Sequence, residues 1–180
     1  RKVLCILPLV RVLCFTSACR DKAAMAELEK YRAQAKVEEQ NKVLLTRMWE
    51  MWNKGDFEAW KLMHADEYVY YSPSNGAKGL SREETIEMGK AFFRSFPDAT
   101  TSIEELIVAG DQVITRWILR GTHKGEFSGI PATGNKVENS GIMITRIKNG
   151  KIVEDKEDYD TFGMMTQLGT ELKPVEAKKK

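Results

Sequence analysis

Cysteine is missing from most of this chain. Its three cysteines, Cys5, Cys14 and Cys19, all lie close to the start of the sequence. After Cys19 the chain therefore has no residue that could form a disulfide, act as a thiol nucleophile or bind a metal through sulfur. The body of the protein must be held together by packing of its core.

Histidine is also scarce, and several signature motifs are absent. The two histidines, His64 and His123, are far apart and form no HxH or HExxH pattern, so the sequence predicts no metal site. Neither a nucleophile elbow nor a phosphate loop is present, which excludes serine-triad hydrolases and P-loop NTPases. The 28 basic and 26 acidic residues nearly balance, and we expect no nucleic-acid partner.

The start of the chain has the layout of a secretory signal. Basic residues 1–2 precede an apolar stretch, residues 3–15, which Arg11 interrupts. This stretch is shorter than the about 20 apolar residues that a membrane-spanning helix needs. The following Ser17-Ala18-Cys19 resembles the lipobox of bacterial lipoproteins, which implies cleavage before Cys19 and attachment of a lipid to it. Ordinary secretion and a misassigned start are the alternatives.

Composition divides the rest of the chain into three segments. Residues 20–36 are rich in Ala, Glu, Lys, Gln and Arg, which favours a polar helical tether. Residues 37–169 carry the apolar periodicity of one domain. Residues 170–180 end in lysines and are typical of a solvated tail. We therefore expect an exported protein, periplasmic or on the cell surface, that contacts the membrane only through a lipid anchor.

Three helices are predicted in the first half of the domain. Apolar residues recur at helical spacing over residues 37–54, and Asp56 is placed to cap a second, short helix. Ser81 and Glu84 have the spacing of a capping box for a third helix, which Pro97 ends.

The second half of the domain is predicted to form a sheet. Short links containing Gly110 and Gly150 predict two hairpins, so the long strands should form an antiparallel meander. The predicted strands are residues 67–72, 101–108, 112–122, 136–147 and 151–160. Together with the helices they predict an α+β domain, in which helices close a curved antiparallel sheet into an open-mouthed pocket.

Two glycine-rich motifs resemble a known family. Gly121-Thr122-His123-Lys124-Gly125-Glu126-Phe127, followed by Gly129-Ile130-Pro131-Ala132-Thr133-Gly134, resembles a signature of the SnoaL-like polyketide cyclase and ester cyclase group of the NTF2-like superfamily. Gln167-Leu168-Gly169 resembles the landmark that closes its domain. The resemblance covers about residues 44–169 and implies a cone, with three N-terminal helices packed on a curved antiparallel sheet around a pocket.

The resemblance also implies a chemistry. The group contains cofactor-independent cyclases and isomerases that use a carboxylate for proton transfer on small hydrophobic carbonyl compounds, and its acid matches Asp160 here. Asp160 is therefore the predicted catalytic acid/base, and His123, at the end of the long strand, is predicted to assist it. The superfamily also implies a homodimer formed through the sheet.

Strand alternation predicts the residues that bind substrate. Trp117 and Leu119 share one face of the long strand with His123, and Glu154 and Lys156 share a face of the last strand with Asp160. Tryptophan is common in the family at the position of Lys156, so either the pocket is polar there or the lysine extends outward.

The first predicted strand supplies two further candidates for substrate binding. Glu67 keeps the acid with which the family begins this strand, whereas Tyr71 replaces a histidine. A tyrosine hydroxyl can still donate a hydrogen bond to an oxyanion.

A protein without catalysis fits the same sequence. The superfamily includes non-catalytic members, and an exported location is unusual for an enzyme whose polyketide substrates are made in the cytoplasm. The alternative is an NTF2-like protein that binds a hydrophobic ligand or a protein partner.

Overall fold

A computed structural model describes the backbone of residues 7–75 and 78–170, and the side chains of residues 22–75 and 78–170. Contacts between Cα atoms divide the chain into two units, Arg1–Glu39 and Gln40–Lys180. In chain order the elements are α1 (Leu7–Lys54), α2 (Phe57–Met63), β1 (His64–Tyr71), β2 (Leu80–Ser81), α3 (Arg82–Ser95), β3 (Thr100–Ala109), β4 (Gln112–Thr122), β5 (Lys136–Lys148), β6 (Lys151–Tyr159) and α4 (Thr161–Gln167).

From residue 7 onward, the first unit is part of the helix α1. Side chains from residue 22 to residue 37 are exposed, in keeping with their polar composition. Within the part of the chain that the structure describes, no helix combines the length and the apolar character needed to cross a membrane. The predicted lipidation site, Cys19, and the tail residues 171–180 lie outside the described side chains, so both stay predictions.

The predicted helix caps are confirmed. The Asp56 carboxylate accepts a hydrogen bond from the backbone N–H of Ala59 at 3.0 Å and begins α2. Ser81 and Glu84 form both bonds of the predicted capping box at the start of α3. These bonds satisfy backbone N–H groups that have no partner within the helix.

Six strands form one sheet in the order β2-β1-β6-β5-β4-β3. The predicted antiparallel meander is confirmed for β3 to β6. At its last hairpin Asn149 and Gly150 both have positive φ, of 52° and 72°, as a tight two-residue turn requires. The pairing of β1 with β6 is parallel, whereas the sequence led us to expect an antiparallel sheet throughout. A parallel neighbour needs a long crossover connection, which α3 and the meander provide here.

An irregularity in β6 changes which side chains face inward. Arg146 on β5 pairs with Glu154, but the next residue, Ile147, pairs with Ile152, so the pairing skips Val153. Such a bulge interrupts strict alternation. As a result, Ile152 and Asp155 are both buried although they are three positions apart.

The core lies between the sheet and the helices. Leu45 and Met48 of α1 belong to the same buried cluster as Val113 of β4 and Met143 of β5. Leu168, just after α4, is also buried in this cluster. The helices therefore cover one face of a curved sheet that does not close into a barrel, as the sequence predicts.

Candidate active site

A cavity of about 770 Å³ lies between the helices and the inner face of the sheet. Its lining includes all 4 tryptophans of the chain, Trp49, Trp52, Trp60 and Trp117. The phenols of Tyr68 and Tyr70 on β1 add polar groups, and methionines from α1, α3, β5 and α4 add flexible apolar ones. An apolar cavity with a few polar groups has the character and size of a site for a small organic molecule.

Asp155 is the most deeply buried carboxyl group of the lining, and its side chain is held on two sides. Tyr68 donates a hydrogen bond to Oδ2 at 2.8 Å, and Thr145 donates to Oδ1. Burial raises the pKa of Asp155 to about 6, and the two donors partly oppose that rise because they favour the carboxylate. Asp155 can therefore exchange a proton near neutral pH.

Glu157 lies two residues further along the same face of β6 and also lines the cavity. Burial raises its pKa to about 7, the hydrogen bond from Tyr70 opposes the rise, and the charge of Asp155 adds to it. The nearby indole N–H of Trp117 also lowers the pKa of Glu157. The distance or angle is not that of a full hydrogen bond, and the indole N–H has no other partner among the described residues. Near pH 7 this carboxyl group exists in both protonation states.

His64 is buried beside these acids. Its ring stacks on Trp60 with 3.5 Å between ring centroids, and Nδ1 lies 2.7 Å from the Trp60 carbonyl oxygen. Burial lowers the pKa of His64 to about 3, so the imidazole is neutral at physiological pH. Its other nitrogen, Nε2, lies 4.0 Å from Oδ2 of Asp155.

The described residues offer no metal site. No three His, Cys, Asp or Glu side chains between residues 22 and 170, apart from the undescribed 76–77, lie together in a way that could hold an ion. The polar groups of the cavity are suited to proton transfer and hydrogen bonding.

A cavity between three helices and a curved sheet matches the cone that the glycine-rich motifs imply. The family model for SnoaL-like polyketide cyclases matches residues 42–168. The chain belongs to the SnoaL-like polyketide cyclase family.

Individual relatives agree with this assignment. Aklanonic acid methyl ester cyclase DnrD of Streptomyces peucetius is 37% identical over 60 residues, a match that spans 33% of this chain and 41% of the relative. IdmH of Streptomyces antibioticus, assigned as a polyketide cyclase, superposes with a TM-score of 0.65 at 29% identity over 72% of this chain and 98% of IdmH. A SnoaL-like protein from Jannaschia sp. CCS1 has a TM-score of 0.69 at 22% identity, covering 76% and 96% of the two chains. The predicted NTF2-like cone is confirmed.

The cavity of this SnoaL-like protein contains two of the residues predicted to bind substrate. Trp117 and Leu119 lie in the lining, on the inner face of β4. His123 shares that face but lies outside the lining. Its ring is completely buried, stacks on Phe96 and accepts a hydrogen bond from the backbone N–H of Thr133 at 3.3 Å. This position suits a residue that fixes the loop after β4.

Asp160 does not lie in the cavity, where the family resemblance predicts the catalytic acid. Its carboxylate is exposed and accepts a hydrogen bond from the backbone N–H of Gly163 at 2.7 Å, which caps α4. The side chain is outside the cavity lining because β6 ends at Tyr159 and the chain turns into α4. The catalytic role predicted for Asp160 stays a prediction, and its position favours capping.

Glu154 and Lys156 also lie outside the lining, because the bulge gives Asp155 and Glu157 the inner face. Of the two alternatives for Lys156, a polar pocket or a lysine that extends outward, the structure shows the second. Its Nζ lies 3.1 Å from Glu154 Oε1. Glu67 is exposed in β1, and Tyr71 lies outside the lining with Lys156 Nζ 5.8 Å from the centre of its ring. The predicted constellation around Asp160 is therefore not assembled in the cavity.

Sequence reasoning missed the roles of Asp155, Glu157 and Tyr68. A signal for them was present: Asp155, Glu157 and Tyr159 alternate along the last strand, and Tyr68 and Tyr70 alternate along the first. Acidic residues on a strand are usually exposed, and this expectation concealed the pattern. Only the position of β1 beside β6 shows that the phenols reach the acids.

Proposed function

We propose that this SnoaL-like protein is a cofactor-independent cyclase or isomerase, which moves a proton on a small hydrophobic carbonyl compound bound in the cavity. The observation that carries the proposal is the pair of carboxyl groups, Asp155 and Glu157, whose pKa values burial raises to about 6 and about 7 beside an aromatic cavity. Acids and bases work best when their pKa lies near the working pH.

Glu157 is the better base of the two. Its pKa is the higher, so its carboxylate binds a proton more strongly, and its side chain is less deeply buried than that of Asp155. In the proposed reaction the Glu157 carboxylate takes a proton from the carbon next to a carbonyl group. The electrons of that C–H bond form an enolate, whose charge must be stabilised.

Asp155 supplies that stabilisation in its protonated form. Because its pKa is about 6 against about 7 for Glu157, the reactive form, with Asp155 protonated and Glu157 ionised, is the minor one of the two singly protonated forms of the pair. It donates a hydrogen bond to the developing enolate oxyanion and keeps its proton until the next step. If the enolate carbon attacks a second carbonyl group of the same molecule, a carbon–carbon bond forms and the new alkoxide takes the proton. Glu157 and Asp155 then exchange protons with water and return to their starting states, so the reaction consumes no electrons and needs no cofactor.

Isotope exchange tests this step without knowledge of the natural substrate. The full chain is incubated in D₂O with a panel of hydrophobic ketones and β-keto esters, and deuterium entering next to the carbonyl is measured by mass spectrometry. We expect exchange with some members of the panel and a loss of about 100-fold in Glu157→Gln, the size of typical general-base effects. Glu138→Gln, which changes an exposed carboxylate paired with Arg120, is the matched control and should exchange normally.

A ligand-binding protein without catalysis is the second candidate. It is favoured by Asp160, the residue that matches the family's acid, because this carboxylate caps a helix outside the cavity. Native mass spectrometry of the purified protein would then detect a retained hydrophobic molecule. Tight binding of panel compounds without deuterium exchange would support this function and overturn the proposed reaction.

A further inference from the structure

The tautomer of His64 follows from its neighbours. Nδ1 lies 2.7 Å from the carbonyl oxygen of Trp60, and a carbonyl can only accept a hydrogen bond. Nδ1 must therefore carry a proton and donate it. In a neutral imidazole the second nitrogen, Nε2, is then an acceptor with a free lone pair.

This lone pair is buried without a donor. Nε2 has no hydrogen-bond partner among the described residues, and the side chain is completely shielded from solvent. A buried acceptor without a donor destabilises the folded state, because it has lost its hydrogen bond to water. The hydroxyl of Tyr68, whose ring lies 4.6 Å from the imidazole, is already donated to Asp155. The polar atom that faces Nε2 is Oδ2 of Asp155, at 4.0 Å.

Two electron-rich atoms would face each other if Asp155 were ionised. A proton on Oδ2 removes this conflict, because the carboxylic acid can donate to Nε2. The opposite arrangement, an imidazolium beside a carboxylate, is disfavoured by burial and by the positive charges of Arg82 and Lys151. Burial raises the pKa of Asp155 to about 6, which makes its protonated form more accessible than that of an ordinary aspartate.

We infer that His64 is a positioning residue that accepts the proton of Asp155, so that the two side chains hold one proton between Nε2 and Oδ2. A distance of 4.0 Å is about 1 Å longer than a hydrogen bond, so the inference requires the two side chains to approach each other by about that amount in the protein without ligand. A proton shared with His64 should raise the pKa of Asp155 further, toward that of Glu157, and so increase the fraction of Asp155 that is still protonated when Glu157 ionises. The role of the His64–Asp155 pair in turnover rests on the proposed function. The existence of the shared proton does not depend on that function.

Nuclear magnetic resonance can detect the shared proton directly. With only 2 histidines, the full chain labelled with ¹⁵N in histidine gives a simple imidazole spectrum. We expect Nε2 of His64 to resonate away from the position of a bare nitrogen in the wild type. Asp155→Asn should keep the shift, because its amide NH₂ can donate to Nε2. Asp155→Ala should return Nε2 to the bare position, and unchanged His123 signals would show that the fold is intact.

A titration of the wild type keeps the inference testable if Asp155→Ala does not fold. The ¹⁵N signal of His64 Nε2 and the ¹³C signal of the Asp155 carboxyl carbon should change with one common midpoint, since they report one coupled pair. A bare Nε2 throughout, or separate midpoints for the two groups, would overturn the shared proton. Glu157 and Tyr68 also face Asp155, so their signals are followed in the same titration.

The role in turnover has its own test. His64→Asn can keep the hydrogen bond to the Trp60 carbonyl through its amide, but it removes the Nε2 acceptor. In a plot of the deuterium-exchange rate against pH, we expect the decline on the alkaline side to begin at a lower pH than in the wild type. The reason is that Asp155 then gives up its proton more easily. An unchanged pH profile would overturn the positioning role. If no panel compound exchanges in any variant, the proposed reaction fails while the resonance results still decide the shared proton.

Discussion

The phenol of Tyr68 and the carboxyl group of Asp155 are joined across the parallel strands β1 and β6 by a hydrogen bond of 2.8 Å. Burial and the neighbouring carboxylate raise the pKa of Tyr68, so its hydroxyl keeps its proton and donates. The bond favours the ionised form of Asp155 and limits the effect of burial on this acid. The protonation state of Asp155 therefore depends on a residue of β1, a strand that is far from β6 in sequence.

Replacing Tyr68 by phenylalanine should raise the pKa of Asp155 above its present value of about 6, because the carboxylate loses a donor while its burial is unchanged. The pKa can be followed by ¹³C resonance of the Asp155 carboxyl carbon between pH 4 and 9. Tyr70→Phe is the matched control, since Tyr70 donates to Glu157. It should raise the pKa of Glu157 and affect Asp155 only weakly. A fall in the pKa of Asp155 in Tyr68→Phe would contradict the role of this bond.

Glu157 should make the protein less stable as the pH rises toward neutrality. Its pKa is about 7 in the folded state against 4.5 for an ordinary glutamate. The folded protein therefore binds more protons than the unfolded chain between these values, and the stabilisation present below pH 4.5 is lost as the pH rises to about 7. Glu157→Gln should remove this part of the decline in melting temperature, measured by circular dichroism. The same decline in the variant as in the wild type would refute the assignment.

His64 should contribute with the opposite sign. Its pKa falls from 6.5 to about 3 on folding, because burial disfavours the charged imidazole. The folded protein then binds fewer protons, so this stabilisation is complete above pH 6.5 and is lost as the pH falls toward 3. His64→Asn should flatten the acid side of the stability profile. A steeper loss of stability in acid than in the wild type would argue against a neutral, buried imidazole.

Asp160 should act on stability through the cap of α4. Asp160→Ala removes the hydrogen bond to the Gly163 N–H and should cost about 0.5–2 kcal/mol in the free energy of unfolding. Asp160→Ser keeps a capping oxygen and should recover most of that loss. Urea unfolding measures both variants, and deuterium exchange tests the alternative. Loss of exchange in Asp160→Asn with unchanged stability would show that the catalytic role predicted from the family is correct.

Gly141 should be required for the position of Trp117. A Cβ added at Gly141 would lie 2.4 Å from Cζ2 of Trp117 and 2.6 Å from the backbone oxygen of Asp158. Gly141→Ala should therefore force the indole to move within the cavity and cost about 1–3 kcal/mol. Tryptophan fluorescence and urea unfolding can detect both effects. Ser140→Ala changes the adjacent exposed residue and should leave both signals unchanged, whereas equal effects in the two variants would argue against the predicted overlap.

The sequence was sufficient to predict most of the fold. The caps at Asp56 and Ser81 depend on bonds to residues three positions away, so their spacing is visible in the chain. The hairpin at Asn149 and Gly150 is equally local. The parallel pairing of β1 with β6 depends on contacts between distant segments, and neither strand carries a pattern that identifies its neighbour.

The site was harder to predict than the fold. Trp117 and Leu119 could be placed on the inner face because β4 alternates regularly. The same rule did not identify the acids of β6, because the strand has polar side chains on both faces and contains a bulge. His64 gave no signal at all, since its importance depends on two spatial neighbours, Trp60 and Asp155.

The skipped residue in β6 has a chemical consequence. Continued from the buried Ile152, a strand of strict alternation would turn Glu154 and Lys156 inward, and these two side chains already neutralise each other as an ion pair. With Val153 left out of the pairing, Asp155 and Glu157 take those places, where neither meets a cation within the lining of the inner strands. One extra residue thus exchanges a neutral pair for two acids whose pKa values are about 6 and about 7. In this scaffold, a shift by one residue in which side chains of a strand face inward can create a reactive site, with no change in the kinds of residue present.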